Sequence, residues 1–83
     1  MSLDQIREEI DAIDEKLIML LEKRFNLVAK LLPYKKQLSD AQREGEILSK
    51  IGPVYVRTLY QEIFRLSKKL LKEAGLNSNN SRL

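Results

Sequence analysis

The chain has 83 residues with 15 Lys and Arg against 12 Asp and Glu, a net charge of +3, and neither cysteine nor histidine. Those two absences exclude disulfides, thiol nucleophiles, the Ser-His-Asp and Cys-His arrangements and every His-based metal site. The surplus of positive charge is mild and interspersed, too dilute for a general nucleic-acid face and sufficient for a small anion.

At this length one small domain with a modest core is expected. No run of about 18 apolar residues exists, so no membrane span is predicted. The opening Met-Ser-Leu-Asp is polar and acidic, unlike a secretory signal. With the missing cysteines, that makes a cytoplasmic location the expectation.

Ser2 and Gln5 have the spacing of a capping box that opens a first helix. Apolar residues then recur at three- and four-residue steps, from Leu3, Ile6 and Ile13 through Leu17 and Leu20 to Leu31 and Leu38. That is the period of one amphipathic helix, predicted over 3–37 with a bend at 29–33, where Pro33 removes a backbone donor. A helix of that length is roughly 50 Å long. A compact domain of this size has a radius of gyration of about 12 Å. The helix would overhang anything one chain can wrap around it, so an intertwined homodimer is predicted.

Ser39 or Asp40 caps a second helix, predicted over 40–50, with Ser39 and Gln42 again at capping-box spacing. Gly52-Pro53 ends it. A third helix is predicted over 54–74, its apolar face including Val56, Leu59, Tyr60, Ile63, Phe64 and Leu70. Lys68, Lys69 and Lys72 fall near its expected C-terminus, where the helix dipole favours cations. Gly75 is the expected cap, and the Asn- and Ser-rich 76–83 is expected to fray. The predicted fold class is all-α, a three-helix protomer with one long N-terminal helix and a single domain over 1–75.

Several charged residues break this pattern. Arg24 stands where the seam calls for an apolar side chain. Lys35 follows eleven residues later, near three full turns and roughly 16 Å along the same face. A cation on a buried seam is costly unless an opposite charge meets it. Either Arg24 pairs with a carboxylate across the bundle while Lys35 snorkels to solvent, or both hold an anionic ligand. Asp40, Arg43 and Glu44 share one turn, as an acidic corner of a site or as ordinary first-turn charges. Arg7 lies about 25 Å from Arg24 along the helix, so a functional Arg7 would serve a site on a partner chain. Ser67 borders the apolar face of the third helix, where a hydroxyl ordinarily bonds back to a backbone carbonyl. The carboxylates Asp11, Asp14 and Glu15 have no ligand spacing, and no metal is expected.

Taken together, these residues resemble the all-helical (AroQ) class of chorismate mutases. The run Ile6-Arg7-Glu8-Glu9-Ile10-Asp11-Ala12-Ile13-Asp14 is similar to that family's first-helix signature. Leu20-Leu21-Glu22-Lys23-Arg24, Tyr34-Lys35, Asp40-x-x-Arg43-Glu44 and the 59–67 segment ending in Ser67 continue the match. The resemblance implies the pericyclic conversion of chorismate to prephenate in an intertwined homodimer, without cofactor or metal. It implies that Arg24 and the partner chain's Arg7 bind the two substrate carboxylates. Lys35 would hydrogen-bond the ether oxygen, Glu44 and the backbone near Asp40 would receive the ring hydroxyl, Arg43 would organise that corner, and Ser67 would contact a carboxylate. The family usually has Gln or Glu where this chain has Leu71, and its two connections are usually longer, so weak activity is expected.

Three alternatives differ in outcome. An isochorismate-pyruvate lyase on the same fold would release pyruvate. A silent dimeric module would bind a metabolite, or nothing, without turnover. A coiled-coil interaction domain would use Arg24 only to set register, and Arg24→Leu would stabilise it.

Overall fold

The computed structural model describes residues 1–37 and 40–80, and the side chains of 1–34 and 41–75. It is all-helical among those residues: α1 (Leu3–Ala29), a 3-10 helix (Leu32–Gln37), α2 (Asp40–Ser49) and α3 (Val54–Asn80). α3 is the common support, with α1, α2 and the 3-10 helix all packed on it.

The capping box at the start of α1 is present in both directions. The Gln5 backbone N–H donates to Ser2 Oγ at 3.2 Å, and the Ser2 N–H donates to Gln5 Oε1 at 2.8 Å. The predicted helix over 3–37 is instead broken. α1 ends at Ala29, four residues before Pro33, whose ring would meet that carbonyl and whose nitrogen has no hydrogen to donate to it. The chain tightens there into three-residue bonds, Lys30 N–H to Leu27 O, Leu31 N–H to Val28 O and Tyr34 N–H to Leu31 O. Lys35 therefore does not continue the α-helical face of Arg24, and the three-turn spacing argument fails at Pro33.

α2 follows the predicted bounds closely and closes with two three-residue bonds, from Lys50 N–H to Ile47 O and Ile51 N–H to Leu48 O. The Ser39 half of its expected capping box lies outside the described residues; the Gln42 amide donates forward to Glu46. The Pro53 carbonyl takes the first bond of α3, from Arg57 N–H. α3 then runs through Gly75 to Asn80, beyond its expected cap. Lys68 consequently sits in mid-helix, and the dipole explanation for it does not hold.

The buried core is small: Val28 from α1 with Phe64 and Leu71 from α3. Most of the predicted α1 seam is uncovered, with Leu3, Ile13 and Leu20 each about three-fifths exposed. Leu59 on α3 is similarly bare. The molecule extends 58 × 29 × 14 Å, with a Cα radius of gyration of 16.7 Å.

Candidate active site

Among the described residues, α1, α2 and α3 all contribute to a cavity beside the core. Its floor is apolar, from Val28, Leu31, Ile47, Phe64 and Leu71, and its polar wall is Arg24, Arg43, Glu44, Ser67 and Lys68. The recess measures about 70 Å³, well below the roughly 300 Å³ at which ligand pockets begin. The chain thus supplies a lined recess and not a closed pocket.

Arg24 reaches this recess because it replaces an apolar residue on the inner stripe of α1. Its Nη1 donates to Ser67 Oγ at 3.0 Å, and its Cζ lies 5.8 Å from the centre of the Phe64 ring. Phe64 is itself set by an edge contact with Tyr60, centroids 5.8 Å apart at 68°. Ser67 makes the expected backbone bond, Oγ donating to Ile63 O at 2.7 Å, so its lone pair is what receives Arg24. Arg24 has no carboxylate partner among the described residues. The expectation of a structural cross-bundle ion pair is therefore not met there.

Glu44 is half-buried and faces Lys68 across the α2–α3 gap, with Lys68 Nζ 3.0 Å from Oε2 and 3.2 Å from Oε1. Sequence spacing did not single out Lys68 for the site, because its partner is 24 residues away and no local period links them. Its position immediately after Ser67 was the available signal. Arg43 lines the cavity from an exposed position. Arg65 is engaged elsewhere: its Nε donates to both Glu62 oxygens at 3.0 Å, and these bonds hold the Glu62 carboxyl below its ordinary range.

Of the other expected site residues, Leu71 lies in the cavity floor and in the core. Arg7 is exposed on the first turns of α1, away from this recess. The side chains of Lys35 and Asp40 lie outside the described residues; the Lys35 backbone belongs to the 3-10 helix and that of Asp40 opens α2. No cluster of carboxylates suited to a metal occurs among the described residues. No described helix is long and apolar enough to cross a membrane.

The recess thus combines guanidinium groups, one acidic corner and an apolar floor, a combination that fits an anion carried on a ring. The family model for chorismate mutase type II matches residues 6–72. The chain belongs to the chorismate mutase type II family. The match runs from the first turns of α1 deep into α3, so Arg24, Arg43, Glu44, Ser67 and Leu71 all fall inside the chorismate mutase segment. Comparisons with curated proteins and with solved structures return no match.

Proposed function

We propose that the protein is a homodimeric chorismate mutase that rearranges chorismate to prephenate. The observation that carries this is the convergence of Arg24, Ser67, Arg43 and Glu44, from three helices, on one recess inside the segment that matches the family. The reaction suits a chain without His or Cys. A C–O bond breaks and a C–C bond forms within one molecule, and no nucleophile, proton carrier, metal or cofactor takes part.

The protein's work is then restraint and electrostatics. Arg24, already aimed by Ser67 and Phe64, takes one substrate carboxylate with a planar fork of donors. Arg7 of a second copy takes the other, since no Arg7 reaches the recess within its own chain. Holding both ends keeps the molecule folded with its reacting carbons close together. Glu44 receives the ring hydroxyl beside Asp40, with Arg43 balancing charge there. Lys35 places its ammonium on the ether oxygen, which gains electron density as the bond breaks. The apolar floor of Val28, Phe64 and Leu71 excludes water and strengthens each of these interactions.

One preorganised donor of this kind is worth about 3 kcal/mol in the transition state. Lys35→Ala should therefore lower kcat at least about a hundredfold while the fold is kept. The test follows chorismate spectrophotometrically with purified protein, with isochorismate offered in parallel. Loss of chorismate and gain of prephenate is expected; pyruvate release from isochorismate would establish the lyase instead. A second reading has one observation in its favour, Leu71, which puts a methyl-bearing side chain where the family carries a donor. On that reading the dimer binds the dianion without measurable turnover, and calorimetry with chorismate would show heat without product.

A further inference from the structure

We propose that Lys68 is a positioning residue for this reaction, holding the Glu44 carboxylate at the mouth of the recess; the assignment rests on the function proposed above. Lys68 Nζ lies within hydrogen-bond reach of both Glu44 oxygens, at 3.0 and 3.2 Å. The other ion pairs among the described residues, Glu62 with Arg65 and Lys69 with Glu73, lie within α3 at one-turn spacing. Lys68 with Glu44 joins two elements.

The location gives the bridge its role. Lys68, Glu44 and Phe64 line the recess and also an adjoining cavity of about 330 Å³ between α2 and α3, completed by Leu48, Gln61 and Arg65. The bridge, together with Phe64, therefore borders both spaces. If it opened, the Glu44 carboxylate would be free to swing toward Arg43 or into the second cavity, and the ring-hydroxyl acceptor would lose its place.

Charge balance points the same way. Among the described side chains, Arg24, Arg43 and Lys68 stand against Glu44, three cations and one anion, for a net +2 around the recess. That excess is opposite in sign to the two charges of a dicarboxylate, with Lys35, Asp40 and a second copy's Arg7 still to be counted on the function proposed above. Without Lys68 the remaining pair of arginines would be half neutralised by Glu44, an acid placed beside a doubly negative substrate.

The test uses the full chain with Lys68→Met, Glu44→Gln, the double variant and Lys68→Arg. Lys68→Met should lower kcat/KM about tenfold in the wild-type background but less than about twofold when Glu44 is already Gln, because the two side chains act as one unit. Lys68→Arg, which retains two donors toward the carboxylate, should recover most of the loss. Equal losses in both backgrounds, or no loss in either, would overturn the assignment. Unfolding midpoints of the same proteins supply a readout independent of turnover. If the wild-type chain leaves chorismate untouched, the functional reading fails. Non-additive midpoints would then still uphold the Lys68–Glu44 bridge, and additive ones would overturn it.

Discussion

Arg24 is held on two sides before any ligand arrives, by the Ser67 hydroxyl and by the Phe64 ring. Such preorientation matters because a long flexible cation otherwise loses rotamer entropy when it binds. The Ser67 hydroxyl passes its own hydrogen to Ile63 O, which leaves its lone pair facing Arg24. Ser67→Ala removes a hydrogen bond to a charged group, worth about 1.5 to 3 kcal/mol. The expected outcome is a roughly 10- to 100-fold fall in kcat/KM, measured by steady-state kinetics. The unfolding midpoint should fall as well, because the better helix propensity of alanine returns only about 0.5 kcal/mol of that loss. Leu71 raises a different balance. It is one of the three buried core side chains and also part of the recess floor. Leu71→Gln would place an amide in an apolar site, at a cost of about 1 to 3 kcal/mol while it lacks a partner. It would also supply a donor beside the recess. The variant should unfold at a lower temperature and turn over chorismate with a higher kcat/KM, and an unchanged kcat/KM would show that Leu71 does not limit the proposed activity.

The elements differ in how firmly their sequences specify them. α1 is opened by a reciprocal cap and stopped by proline stereochemistry, so both of its ends have local causes. α2 is ten residues long and contains Gly45 in its interior. Gly45 has no positive φ, and a Cβ built there would meet nothing within 4 Å. It therefore carries the entropic penalty of glycine without a steric reason for it. Gly45→Ala should stabilise the fold by about 0.5 to 1 kcal/mol. In a domain of this size that corresponds to roughly 2 to 8 °C in the unfolding midpoint, measurable by circular dichroism. A fall in the midpoint would mean that something seats against that face of α2, a second protomer included.

For the whole molecule the governing quantity is surface. The chain exposes 7271 Å², whereas a compact monomer of its mass exposes about 5,100 Å². Its radius of gyration of 16.7 Å compares with about 12 Å for a compact domain. On α1 the apolar side chains of Leu3, Ile6, Ile10, Ile13, Leu17 and Leu20 are all open. An apolar stripe of that length marks a protein interface. A second copy of the chain is the occupant we propose, because it would cover the stripe and bring Arg7 to the neighbouring recess at once. Leu17→Asp discriminates. In a lone protomer a change at this half-exposed site should alter stability by less than about 0.5 kcal/mol. In the proposed dimer it should halve the mass seen by light scattering and abolish turnover. A wild-type chain of monomeric mass would end the shared-site mechanism.

What lay in the sequence alone was whatever short-range periodicity and stereochemistry control. The helical class, the capping box at Ser2 and the bounds of α2 all follow from spacings within a few turns. Pro33 is legible there too, but only as a bend. Only the fold shows that it ends α1 at Ala29, which removes the shared face of Arg24 and Lys35. The cavity itself was decided by tertiary packing. Arg24 meets Ser67 across 43 residues and Glu44 meets Lys68 across 24. Such pairs depend on how one helix is rotated and shifted against another, and that register is set by the fit of side chains such as Val28, Phe64 and Leu71, which no local period encodes.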